Sequence, residues 1–178
     1  QPLRWGSGRF WNPTDFVNTE RKVPLSTFDE RQGISLLKLH LPIEKLGWNF
    51  YAVANLDSVF SPANGEPFSV EDIGLAFRAE FLFAQTEIAA SVSRRQPQPL
   101  RIGLDVTSGF KYFDLRLEGS LLKGSQRQYW QGPFEAETLT FPTLRDRSDD
   151  WIVQVCGGFE TDIKYSAQDS LTLGVEYF

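Results

Sequence analysis

Apolar and polar residues alternate along most of this chain, which is the pattern of a β-strand with one apolar and one polar face. The clearest case is 100–107, where Leu, Ile, Leu and Val alternate with Arg, Gly, Asp and Thr. The same period of two predicts eight strands, at 34–41, 47–56, 73–83, 87–93, 100–107, 113–121, 151–165 and 171–178, with a partial strand within 1–10. Turn-forming residues separate these stretches, so the pattern predicts an all-β, antiparallel protein.

Strand length and the order of the connections favour a membrane barrel. The stretch 151–165 is far longer than the usual globular strand of about five or six residues. Long and short connections alternate, as the outer loops and periplasmic turns of bacterial barrels do. Apolar faces repeatedly end in aromatic residues, where the interface girdles of a barrel would lie. These residues are Phe83, Phe113, Trp151 and Tyr165.

The polar faces of the predicted strands carry charges of both signs, and in a barrel they would point inward. We expect this set to line a pore: Arg78, Glu80, Arg101, Asp105, Arg116, Glu118 and Glu160. Buried charges need partners, so the same set is also consistent with inert salt bridges that fill the interior. Under the pore interpretation Leu104→Arg on the apolar face is costly in a membrane, whereas Asp105→Asn is mild.

A stretch rich in aromatic residues, 5–18, precedes the first clear strand. Asn12, Pro13 and Asp15 are strong turn formers, because Pro13 presets φ and the other two side chains bond nearby backbone. Gly6 and Gly8 permit close backbone approach. The aromatic side chains of this stretch are costly to leave in water. We therefore expect the stretch to fold back onto the protein.

This stretch resembles a loop near the N-terminal part of a group of poorly characterised, porin-like bacterial outer-membrane β-barrel proteins. The matching positions are Trp5, Gly6, Gly8, Trp11, Asn12, Pro13, Thr14 and Asp15. The resemblance implies a transmembrane barrel in the outer membrane of a Gram-negative-type bacterium, with the lipid bilayer and small solutes or ions as partners. It covers less than a tenth of the chain, and an ordinary aromatic-rich turn in a soluble β-protein is the alternative.

If the stretch bends into a barrel mouth, it forms a constriction. Residues 10–33 then form an infolded or outer loop, in which Arg9, Asn12 and Asp15 reach a passing solute and Trp11 anchors the turn against the wall. The alternative is a loop that only braces the neighbouring strands.

Composition narrows the remaining function classes. The net charge of −5 and the absence of a basic patch argue against nucleic-acid binding. The only histidine, His40, lies near a strand end without a nucleophile motif, so we predict a polar rim or lumen residue and no enzyme. A single cysteine, Cys156, provides no zinc ligand set. We predict no metal site and no cofactor.

The sequence thus predicts an antiparallel, up-and-down transmembrane β-barrel, or a segment of a larger one, that acts as a porin-like channel or passive transporter. The lack of any Met suggests a processed chain or a piece, and the ragged strand count suggests a larger barrel cut open. The alternatives are a soluble β-sandwich or ligand-binding barrel, and a structural outer-membrane barrel without transport. The solute and the oligomeric state are left open.

Overall fold

The computed structural model describes residues 5–17, 35–57, 70–95, 98–125, 129–134, 141–166 and 168–178. The protein is all-β. Its strands are β1 (Leu36–Ile43), β2 (Trp48–Asn55), β3 (Gly74–Phe83), β4 (Thr86–Arg95), β5 (Gln98–Phe110), β6 (Phe113–Lys123), β7 (Tyr129–Gln131), β8 (Thr143–Arg145), β9 (Trp151–Lys164) and β10 (Ser170–Tyr177). Two single 3₁₀ turns lie at Glu44–Leu46 and Val70–Asp72. No helix among the described residues is long and apolar enough to cross a membrane.

Eight strands form one antiparallel sheet in the order β1-β2-β3-β4-β5-β6-β9-β10. This confirms the eight predicted strands and their antiparallel, up-and-down order. The tight turn predicted at 84–86 is confirmed too, since β3 and β4 are joined through Ala84, which has a φ of 55°. The ends of β2 and β3 at Asn55 and Gly74, and those of β6 and β9 at Lys123 and Trp151, lie at the opposite end of the sheet from this turn.

Two expectations are corrected. Residues 5–10 are not in a strand, because Gly6 has a φ of 89° and its backbone turns away from an extended path; residues 1–4 lie outside the described residues. The long predicted loop 123–150 contains a small hairpin of β7 and β8. No closed barrel is detected, and within the described part of the chain β1 and β10 remain the two edges of the sheet.

The apolar face of the sheet is exposed. Leu104, in the central strand β5, is 53% exposed, and Phe77 and Leu115 on the same face are similarly exposed. Neighbouring strands continue this apolar row, since Leu104 lies opposite Ala90 on one side and Gly119 on the other. The described residues therefore place no second layer over the apolar row, and the apolar row is not the core.

The polar face is the buried one. Glu118 has no exposed surface, and Asp105 and Cys156 are each 2% exposed. What covers this face is the segment 5–17, whose Trp5, Phe16 and Val17 form a core cluster with Val53 of β2 and Ala76 of β3. The fold is therefore organised around a polar sheet face and the segment that lies on it.

The segment extends across most of the width of the sheet. The backbone N–H of Trp11 donates to Glu176 on β10, and Val17 is buried in the cluster that contains Val53 on β2. The polar face between these two strands therefore lies under one short stretch of chain.

Candidate functional site

The first part of the site is a buried ion-pair cluster on β3 and β5. The Arg78 guanidinium donates to both carboxylate oxygens of Asp105, at 2.6 and 2.9 Å, and its Nε donates to Glu80 at 2.7 Å. Arg78 and Asp105 are on strands separated by β4, where Ser91 lies opposite Arg78 and Ala89 lies opposite Asp105, and both are small. Because each partner is almost fully buried, the two charges compensate each other away from water.

The second part is the carboxylate of Glu118 on β6. It accepts hydrogen bonds from the backbone N–H groups of Ser7 and Gly8, from the hydroxyl of Ser7 at 3.2 Å and from the hydroxyl of Thr14 at 2.9 Å. One side chain of the sheet thus binds segment 5–17 at two places, at Ser7 and Gly8 and again at Thr14. Four donors around one buried carboxylate replace its lost hydration.

The third part lies on β9 and β10. The Glu176 carboxylate accepts backbone hydrogen bonds from Arg9 at 2.7 Å, Phe10 at 3.2 Å and Trp11 at 2.5 Å. The Glu160 carboxylate binds the Arg9 guanidinium through two hydrogen bonds of 2.9 and 2.7 Å and also binds Arg116 at 3.0 Å. The hydrogen bond to Glu160 raises the pKa of the Arg9 guanidinium above its ordinary value, so Arg9 stays charged.

The segment is also held together internally. The side-chain amide of Asn12 donates to the backbone oxygen of Trp5 at 2.6 Å. The backbone N–H of Asp15 donates to the backbone oxygen of Asn12 at 3.3 Å. The predicted Asn-Pro turn is therefore present. Trp11 stacks on Phe178 with ring centroids 5.2 Å apart. These internal contacts hold the segment in one loop conformation.

Glycines allow the segment to lie close to the sheet. A side chain at Gly6 would collide with Asn12 and Thr14, and Gly6 also needs its positive φ. On β5, a Cβ at Gly103 would lie 3.0 Å from the Phe16 ring. These two positions explain why a bulky loop fits against this face.

The structure brings the predicted pore residues into two groups. Arg78, Glu80 and Asp105 form one cluster, whereas Arg116 and Glu160 join Arg9 in another. The remaining predicted residues lie apart from these ion pairs. Glu118 binds the segment, Arg101 is half-buried on β5, and Asn12 and Asp15 are half-buried in the turn. Of the predicted loop 10–33, residues 11–17 lie on the polar side, and 18–33 are outside the described residues.

Sequence reasoning missed the segment's other contacts. Glu176 shares the polar face of β10, so its alternation was a usable signal, but nothing in the pattern indicated that it binds backbone N–H groups. Thr14 and Ser7 were not predicted to hold Glu118 either. Their short polar side chains gave no signal beyond turn formation.

His40 lies on the exposed part of β1. Its ring stacks on Tyr51 with centroids 4.5 Å apart, and its Nε2 lies 3.0 Å from the Asn49 side-chain oxygen. Within the described residues, no three His, Cys, Asp or Glu side chains are grouped as metal ligands. This geometry is a cross-strand contact between β1 and β2.

Comparisons with protein-family models, with curated proteins and with solved structures found no match to this chain. The porin-like resemblance of the segment therefore stays a prediction.

Proposed function

We propose that this chain forms part of the wall of an outer-membrane β-barrel and that segment 5–17 narrows its lumen, as in a porin-like channel for small solutes or ions. The proposal rests on one observation: the apolar row of the sheet is exposed, and its charged row is buried. A soluble sheet normally packs its apolar row into a core. A barrel wall exposes that row to lipid and keeps its polar row inside.

The height of the apolar face fits this proposal. On β9 the outward row runs from Trp151 to Ile163. Twelve residue steps correspond to about 40 Å along the strand, or about 28 Å along the membrane normal at a tilt of about 45°. This is close to the apolar band of about 25 Å in outer-membrane barrels.

Aromatic residues also gather at the turn end of the sheet. Trp48 makes edge-to-face contacts with Phe81 at 5.1 Å and with Phe83 at 6.4 Å. Phe110 and Tyr112 are exposed near the β5–β6 turn. Amphipathic and aromatic rings are enriched at membrane interfaces, so this cluster supports a girdle at one edge of the band.

In this proposal solutes diffuse through the polar lumen beside the segment. Arg9, Phe10 and Trp11 are the exposed groups of the segment that would meet them. The Arg78–Asp105 pair is closed and buried, so it would shape the wall and offer little free charge. Selectivity would depend on the size of the remaining passage and on the charges around Arg9.

A structural barrel without transport is the second candidate, because the segment covers much of the polar face. The fully buried carboxylate of Glu118 leaves no passage at that point of the described face. The two candidates share a membrane-inserted wall and differ in whether a passage exists beside the segment.

The test is reconstitution. The purified chain is folded into detergent micelles or lipid vesicles, and conductance is measured in planar bilayers. We expect strand-rich circular dichroism only with lipid or detergent, and discrete conductance steps. Insertion without conductance favours the structural barrel. A folded, soluble monomer in detergent-free buffer contradicts both.

A further inference from the structure

We propose that segment 5–17 is a displaceable gate, attached to the polar face by hydrogen bonds to the carboxyl groups of Glu118 and Glu176. The gate extends the proposed channel function by giving it a means of opening. Its attachment is a property of the folded chain, however, and is tested without any measurement of transport.

The charge-dependent attachment is concentrated at one side of the segment. Glu118 receives donors from Ser7, Gly8 and Thr14, and Glu176 receives three consecutive backbone N–H groups. These contacts all run from a neutral donor to a carboxylate, and such bonds are strong when the acceptor is charged. A neutral carboxamide or carboxylic acid at either position weakens the whole set.

The other side of the segment is held without charge. Phe16 and Val17 are buried with Val53 and Ala76 on β2 and β3. These apolar contacts do not depend on either glutamate. The segment therefore has a persistent attachment at β2–β3, where it can pivot, and a releasable one across β6, β9 and β10, where the Arg9–Glu160 ion pair adds to the contacts of the two glutamates.

Internal hydrogen bonds make the segment move as one body. The Asn12 side chain donates to the backbone of Trp5, and the Asn12 backbone oxygen accepts from the backbone N–H of Asp15. The two ends of the segment therefore stay joined to each other when the hydrogen bonds to the glutamates break. The expected motion is a swing of the braced loop, with its Arg9–Trp11 tip leaving the β10 edge.

Cys156 supplies a reporter for this motion. It is the only cysteine of the chain, it is 2% exposed, and it lies opposite Glu118 in the strand register and beside Glu176. Displacing the segment from these glutamates should expose the thiol. A thiol reagent then measures gate opening in the protein without any added cysteine.

The experiment compares Glu118→Gln and Glu176→Gln with the parent chain, folded in detergent micelles at neutral pH. The labelling rate of Cys156 by a dipyridyl disulfide is divided by the rate for the same chain unfolded in denaturant. We expect each variant to label about 10-fold faster or more, as the loss of charge-assisted hydrogen bonds implies. Glu87→Gln is the matched control, because Glu87 is exposed on β4 and no described contact joins it to the segment.

A second readout separates gate opening from a local change beside the thiol. Trypsin cleavage after Arg9, followed by mass spectrometry, should accelerate in the same two variants, because the backbone of Arg9 and Phe10 is released from Glu176. Circular dichroism should retain the strand signal throughout.

Two results overturn the gate. Unchanged labelling and cleavage in both variants make the segment a fixed brace. Faster labelling accompanied by loss of the strand signal means that the sheet itself unfolds. Conductance is recorded separately, so a gate that opens in a chain without conductance refutes the channel and leaves the gate standing.

Discussion

Leu104→Arg decides whether the exposed apolar face meets lipid or water. Leu104 is 53% exposed at the middle of β5, and its direct neighbours in the ladder are Ala90 and Gly119, which leave room for a longer side chain. In water, an exposed substitution of this kind changes stability by about 0.5 kcal/mol or less. At the midplane of a bilayer, an outward arginine costs about 2–4 kcal/mol.

The chain contains a matched control in Leu144 of β8. It is 54% exposed, and it lies in the small hairpin outside the eight-stranded sheet. We expect Leu144→Arg to be nearly neutral in the same vesicles. The free energy of unfolding is measured by denaturant titration of the vesicle-inserted protein, followed by tryptophan fluorescence, and extrapolated to zero denaturant. Equal and small effects of the two substitutions would refute a lipid-facing sheet.

The other predictions concern the polar side. Asp105→Asn removes the bidentate carboxylate from the buried Arg78 guanidinium and leaves its bond to Glu80, so it should destabilise by about 1.5–3 kcal/mol in the same titration; a change below about 1 kcal/mol would contradict the closed pair. Gly103→Ala brings a Cβ within 3.0 Å of the Phe16 ring, and the resulting strain should cost about 1–3 kcal/mol and speed proteolysis of the segment. Trp11→Ala removes the ring stacking on Phe178, so single-channel conductance should rise or become noisy. Unchanged conductance in a folded variant would mean that the segment has only a structural role.

The prediction for Asp105→Asn reverses an expectation from the sequence. Alternation placed Asp105 on the polar face correctly, but a mild effect of Asp105→Asn was expected for a lumen residue in contact with water. The structure instead buries Asp105 against Arg78, a residue 27 positions earlier in the chain. Such a pair depends on the register of β3, β4 and β5, and on the small residues Ala89 and Ser91 of the strand between them. A pattern with a period of two carries no information about register.

The strands themselves were predictable because each one repeats its period over eight or more residues, as on β6 and β9. The hairpin of β7 and β8 was missed because each strand has only three residues, too few to show alternation. The turn at Asn12 was predictable from local chemistry. The face against which it rests was not, because Glu118 lies 104 positions beyond Thr14 in the chain.

The segment also limits how a wall of this kind can close. The interior of an eight-stranded barrel is just wide enough for the side chains of its own strands. Here the inner face carries, in addition, two arms of backbone and the buried rings of Trp5 and Phe16. The small positions beneath them, such as Gly103, create only enough depth for close contact with one layer of chain. If the sheet belongs to a barrel that encloses this segment, as we propose, we expect that barrel to have more than eight strands; in the described sheet β1 and β10 are not paired with each other.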